Sequence, residues 1–298
     1  MARGSAGETV LHKHLRVLEV FDALRPFRTL SEIVESSGLS PSTAHRLVAE
    51  LEREGLLERL PDRSYRLGVR LWEFASRTPG ALGLRELARQ WMDAVHSRVG
   101  QHTQLGILSG TDVLFIDRLS ARDAVVNATL IGGRLPLAVS SSGIVLLAHV
   151  DERVLDHVIQ VGWPRYTPHT IRDGEALRER TRRARADGFA VLDGHIYEES
   201  RGIAVPVFGP QGGVLAALSV VVPNSAASPN GLIELLTYAA AGVTRALADA
   251  YLPESTSALD APRHRVGSLV STSPASVEYF AGLDPAGQSD RGSGGPAR

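Results

Sequence analysis

The sequence predicts a two-part α+β chain, and three observations carry that prediction. Residues 10 to 51 space their apolar side chains three and four apart, with capping residues between the runs, which is helical. Residues 103 to 222 carry short β-branched and alternating apolar runs interrupted by helical stretches, the pattern of a sheet with helices on its faces. The 298 residues are 43% apolar, enough for two separate cores, and include no cysteine to staple a smaller one.

Val10 to Leu24 supplies Val10, Leu11, Leu15, Val17, Leu18, Phe21 and Leu24, a first amphipathic helix for the next two to pack on. Leu30 to Leu51 then reads as two short helices. Gly38 ends the first as a residue able to take positive φ, and Ser40 caps the second with Pro41 at its first position. Ala44, Leu47, Val48 and Leu51 form the apolar stripe of the second helix, leaving Ser42, Thr43, His45 and Arg46 outward. This is a helix-turn-helix offering short hydroxyls to phosphates and base edges, with Arg46 able to donate two parallel bonds to guanine. Ser31 and Ser40 complete the candidate contact set. The alternative is an ordinary helical hairpin with a solvated outer face.

Leu56 to Leu60 and Ser64 to Gly68 are strand-like runs around Pro61-Asp62-Arg63, a turn that closes a β-hairpin. The hairpin serves as a wing, and its Arg59, Arg63 and Arg66 are either phosphate anchors or incidental charges on a solvated surface. Residues 1 to 70 hold eleven Lys and Arg against ten Asp and Glu, so no large positive field surrounds this domain. Affinity for DNA then needs local patches and two copies of the chain.

Pro79 and Gly80 break the helical pattern, after which Leu84, Leu87, Trp91, Met92 and Val95 form the stripe of a linker helix over residues 84 to 99. That stripe fits either a dimer seam or a helix lying on its own sheet. Strands are expected at 103–108, 113–117, 125–131, 189–192, 202–208 and 214–222, and helices at 140–149, 151–160, 173–187 and 229–252, with Gly188 as a C-cap. The last 46 residues, 253–298, hold five prolines, six glycines and eight serines and are expected to be a disordered tail, and residues 1–8 a flexible N-terminus.

Leu30 to Leu51, with the run Ser42-Thr43-Ala44-His45-Arg46-Leu47, closely resembles the N-terminal domain of the IclR family of bacterial transcriptional regulators. The likeness continues through Glu54-Gly55-Leu56-Leu57, Tyr65-Arg66-Leu67-Gly68, Gly132-Gly133-Arg134-Leu135-Pro136-Leu137, Asp187-Gly188-Phe189-Ala190-Val191 and Ala216-Ala217-Leu218-Ser219, covering residues 9 to 250. It implies a winged helix-turn-helix at 9–76, a linker and linker helix at 77–100, and a GAF-like (profilin-like) α/β effector-binding domain at 101–252. It further implies a homodimer or tetramer on double-stranded DNA with a palindromic operator, and a small-molecule effector.

The segment Gly133 to Gly143 ends a glycine-containing loop at a serine-rich helix start, where free N–H groups attract anions such as small carboxylates. Simple N-capping by Ser140 or Ser141 explains the same residues. In similar proteins this loop and helix start line the effector pocket, which nominates Leu135, Leu137, Ser140, Ser141, Ser142 and Gly143. The opposite wall is expected from Asp193, His195, Ile203 and Ser219, although Asp193 and His195 also fit a solvated turn. Many relatives carry a cysteine at the position of Ile203, so this pocket is expected to have one polar contact fewer.

No Walker loop, dinucleotide fingerprint, glycine elbow or metal-ligand spacing is present, so no cofactor, no metal and no enzymatic role are expected. The longest apolar run, Val214 to Val222, is too short for a membrane span, and residues 1–7 carry no signal core, so a cytoplasmic protein without membrane contact is expected. The expected function is a ligand-responsive regulator repressing a catabolic operon. A constitutive DNA-binding protein with a purely oligomerising second domain, or a metabolite enzyme on a GAF-like domain, are the alternatives.

Overall fold

A computed structural model of the chain describes residues 8–22, 24–76, 81–127 and 129–251. The expectations for residues 1–7 and for the tail at 253–298 lie outside the described residues. Contacts group the chain into two compact units, Met1–Thr78 with Thr129–Arg134, and Pro79–Ala128 with Leu135–Arg298.

The first unit is a three-helix domain closed by a hairpin: α1 (Val10–Leu18), α2 (Leu30–Ser37), α3 (Pro41–Arg53), β1 (Leu57–Arg59) and β2 (Tyr65–Leu67), followed by α4 (Val69–Ser76). Val17, Ile33, Ala44, Leu47, Val48, Leu51, Leu57 and Tyr65 form its core. α1 is shorter than its apolar pattern predicts. The Asp22 carboxylate accepts the N–H groups of Leu24 and Arg25 and turns the chain, so Leu24 is exposed, and Val10, Leu11 and Leu15 face outward as well. α2 starts with a reciprocal capping box between Thr29 and Glu32, and Gly38 ends it with φ +64°, a left-handed conformation glycine adopts without strain.

The second unit is built on a six-stranded sheet in the order β5-β4-β3-β8-β7-β6. Its elements are α5 (Ala81–Val99), β3 (His102–Ser109), β4 (Asp112–Leu119), β5 (Arg134–Pro136), a 3₁₀ turn (Leu137–Val139), α6 (Ser141–Leu147), α7 (Glu152–Val161), α8 (Gly174–Asp187), β6 (Ala190–Asp193), β7 (Ser200–Phe208), β8 (Val214–Pro223) and α9 (Asn230–Tyr251). α6, backed by α8, covers one face, with Phe115, Ala204 and Ala217 beneath it. α5 and α9 cover the other, where Leu84, Ala88, Met92 and Val95 pack with Leu105, Val205, Val207, Leu218, Val220 and Val243. The linker-helix stripe is therefore buried on the chain's own sheet.

The described residues of the strand expected at 125–131 are loop instead, and β5 forms that edge of the sheet. The Val125 N–H donates to Gln101 Oε1 at 2.9 Å, and the Val125 carbonyl accepts from His102 Nε2 at 2.6 Å, so its backbone groups are bonded to side chains instead of a sheet ladder. Val126 and Ile131 are exposed in consequence.

Candidate functional site

In the first unit the local chemistry orients α3. Ser40 caps it, its hydroxyl accepting the Thr43 N–H and donating to Thr43 Oγ1 at 2.8 Å, so that hydroxyl serves the cap first. The buried stripe Ala44, Leu47, Val48 and Leu51 turns Ser42, His45 and Arg46 to the surface, with Thr43 half-buried beside them. Ser31 is exposed at the second position of α2. Arg46 has a partner, Glu50, that was not assigned from the sequence. Arg46 donates to Glu50 Oε1 at 2.6 Å, one helical turn on, and His14 Nε2 donates to the other oxygen at 2.9 Å. Burial works against the Glu50 carboxylate, yet these hydrogen bonds and the Arg46 charge outweigh it and hold its pKa below the usual value. Glu50 therefore aims the guanidinium, a role legible as an i, i+4 acid and base pair.

On the wing, Leu57, Glu58 and Arg59 stand opposite Leu67, Arg66 and Tyr65. Asp62 Oδ1 accepts from the Ser64 N–H and hydroxyl at 2.9 and 2.7 Å, and Arg63 takes φ +67°, the one described non-glycine residue in that region. Arg59 lies over the Tyr65 ring at 5.9 Å, and Arg66 is bonded across the hairpin to Glu58 at 2.9 Å. Arg59 and Arg63 are thus exposed wing cations without a carboxylate partner among the described residues.

In the second unit the serine cluster is buried. Ser140 Oγ accepts the Gly143 N–H at 3.1 Å and its carbonyl accepts the Ile144 N–H, so N-capping accounts for this residue. Ser142 donates to Ser219 Oγ at 2.9 Å, joining α6 to β8. Gly143 is required by space, since a Cβ there would stand 2.0 Å from the Leu137 carbonyl oxygen. Leu135 and Leu137 belong to the core under α6.

Ile203 corrects the expected wall. It is fully buried, but with Val205, Val207, Leu218 and Val220 beneath α5 and α9, on the sheet face opposite Ser142 and Ser219. Ala204 is the residue paired with Ser219, and one step along a strand reverses the face. Asp193, at the end of β6, is half-exposed and pairs with Arg201 on β7. His195, in the loop beyond, is buried, and its carbonyl accepts from Thr170 Oγ1 at 2.7 Å. Burial, then the nearby Arg180 and His169, push its imidazole pKa down to about 4, against the pull of Asp193.

The registers place a row of residues on the α6 face that sequence reading overlooked. Arg118 stands opposite Gln104, Gln104 opposite Ser219, and Ser219 opposite Ala204, on four successive strands. Gln104 and Ser219 are buried, and His102, next on the same face of β3, bonds Ser120 and the Val125 carbonyl. Small side chains at Ala204 and Gly202 leave the row the Gln104 amide and the Ser219 hydroxyl, which faces Ser142 of α6, while the Arg118 guanidinium donates to Ser120 Oγ at 2.7 Å; guanidinium, amide and hydroxyl together are a donor set suited to a carboxylate with a polar substituent. The alternation of β3 and β4 is the one sequence signal that could have found Gln104 and Arg118.

Among the described residues no helix is long and apolar enough to cross a membrane, and no cluster of three His, Cys, Asp or Glu residues is arranged to hold a metal ion. Two family descriptions match the chain: the IclR helix-turn-helix domain over residues 10–61, and the bacterial transcriptional regulator IclR C-terminal domain over residues 78–245. The regulator XynR of Escherichia coli K12 is 32% identical over 213 residues, covering 70% of this chain and 84% of that protein. The Pca regulon regulatory protein of Pseudomonas putida is 28% identical over 218 residues, covering 71% and 73%. A crystal structure of an IclR homolog from Microbacterium hydrocarbonoxydans, complexed with 4-hydroxybenzoate, superposes with a TM-score of 0.76 at 43% identity, covering 80% of this chain and 99% of that one.

Proposed function

Because this chain belongs to the IclR family of bacterial transcriptional regulators, we propose that it is a repressor whose hold on a palindromic operator is set by a small hydroxylated carboxylate. The observation carrying this reading is the exposed polar face of α3, where Ser42, His45 and Arg46 stand free of the core and Glu50 aims the guanidinium. Residues 9–76 read DNA in this scheme and residues 101–252 sense the metabolite, in the cytoplasm, with two copies of the chain each taking half an operator. Arg46 and Thr43 read bases, and Arg59 and Arg63 of the wing hold phosphates.

The effector sits on the Arg118, Gln104 and Ser219 row beneath α6, its carboxylate on the guanidinium and its hydroxyl on the serines. The relative that holds 4-hydroxybenzoate supports an aromatic hydroxy acid as the first ligand to try. α5 transmits the response, because Arg85 and Arg89 bind it to Asp117 on β4, beside Arg118. A shift of the sheet on ligand binding moves that helix, and a coupling of roughly 1 to 3 kcal/mol is enough to release one operator half.

The test is fluorescence anisotropy with DNA from upstream of the chain's own gene, with and without 4-hydroxybenzoate and a panel of related acids. Sequence-specific binding, weakened by one of the acids and lost in Arg46→Ala, is expected. Specific binding that no acid alters would leave a constitutive DNA-binding protein.

A further inference from the structure

A cleft opens in the second unit, away from the serine cluster. It has a volume of about 580 Å³ and lies between α9, the end of α8 and the outer part of β7, with Val205, Phe208, Ala240 and Ala241 as its apolar wall. Its polar rim is basic. Arg185 in the last turn of α8 and Arg245 on α9 line it, and neither has a carboxylate partner among the described residues. His149 closes one end against the Phe208 ring at 5.5 Å, its Nε2 buried with no hydrogen-bond partner. No aspartate or glutamate is among the lining residues.

We propose that this cleft binds an amphipathic monocarboxylate, its acid group between Arg185 and Arg245 and its apolar body along Phe208 and Ala241, as a second ligand site distinct from the α6 face. The volume falls within the roughly 300–1,000 Å³ of small-molecule sites. An apolar trough whose charged lining residues are two arginines, with no acid, is complementary to an anion with a greasy body, because guanidiniums hold a carboxylate while burial of the body supplies affinity. A peptide strand is a poor occupant. β6 pairs with β7 only as far as Ala204, and beyond it the edge is closed: Pro206 has no N–H, and the Phe208 N–H already donates to Thr244 Oγ1 at 3.1 Å. Burial and the charge of Arg185 lower the His149 pKa, so its ring is neutral at pH 7 and the two arginines carry the charge.

The experiment is isothermal titration of the full chain with decanoate below its micelle concentration, with decanol as the uncharged control. Saturable one-to-one binding of decanoate is expected, with decanol at least about tenfold weaker. Arg185→Gln with Arg245→Gln should weaken decanoate about tenfold or more, and Ala241→Phe, at an exposed helix position, should abolish it by filling the trough. Ser142→Ala with Ser219→Ala should leave it unchanged. Absence of saturable binding, equal affinity for decanol, or loss through the serine pair alone overturns the proposal. So does a change of oligomeric state in Ala241→Phe without any decanoate binding, which assigns the cleft to contact between copies of the chain.

Discussion

Arg85 on α5 places its Nε 3.2 Å from Oδ2 of Asp117, a carboxylate with no solvent exposure at all. Arg89 reaches the same oxygen from one turn further along, at 3.4 Å, and the Arg118 N–H donates to the other oxygen at 2.8 Å. One buried acid thus fixes the linker helix to the sheet. Asp117→Ala frees two arginines that are already about half-exposed and regain water, so a stability loss of about 2 kcal/mol is expected, short of the cost of stranding a buried cation. Chemical denaturation measures it, and operator release by effector should weaken in the same variant.

Arg46 and Arg63 should separate two modes of DNA contact. Arg46→Ala is expected to cost about 1–3 kcal/mol on the specific operator and to flatten discrimination between operator variants. Arg63→Ala should weaken every sequence alike and reduce the salt slope by about one charge. Anisotropy titrations at several salt concentrations distinguish them; identical salt slopes in both variants would contradict the assignment.

Glu50→Gln removes the acid that aims Arg46 and leaves the guanidinium in place. Specificity should fall by less than in Arg46→Ala, while nonspecific affinity rises through the loss of a negative charge near the phosphates. Competition binding against random duplex measures both.

Gly143→Ala should be among the most damaging single changes in the sensing unit. Its Cβ would meet the Leu137 carbonyl oxygen at 2.0 Å, a backbone atom that cannot rotate away, so a loss of about 3 kcal/mol or more is expected. Thermal melting reads it, and Gly213→Ala, with nothing within 4 Å, is the matched control.

His195 should make stability fall in mild acid. Its pKa is near 4 in the folded chain and near the ordinary 6.5 when unfolded, so below about pH 6.5 the unfolded state takes up the proton first. The contribution of the buried neutral ring is full above pH 6.5 and is lost between there and pH 4, on the order of 2 kcal/mol by pH 4.5. Denaturation at pH 7 and pH 4.5 should show that difference, and His195→Gln should shrink it.

The recognition helix was legible because its signals are local. Ser40, Pro41 and the stripe from Ala44 to Leu51 act within a few residues, and the structure places them as their spacing predicts. Asp173 and Gly188 bound α8 for the same reason. Val125 to Ile131 misled because its β-branched composition is a local preference, whereas the groups that take its backbone bonds, Gln101 and His102, come from more than twenty residues away.

What the sequence determined by itself was the type of most elements, the order of the two units and the family, all of which rest on periodicity, caps and motif spacing. What only the tertiary structure decided was which side of the sheet each strand residue faces. Alternation states that Ile203 and Ala204 oppose one another, but the pairing of Ala204 with Ser219 sets which of them lies under α6. That pairing also puts Gln104 and Arg118 beside the serines and Ile203 behind them. The face of a strand residue is a property of its partners across the sheet, and a one-residue step along the chain reverses it.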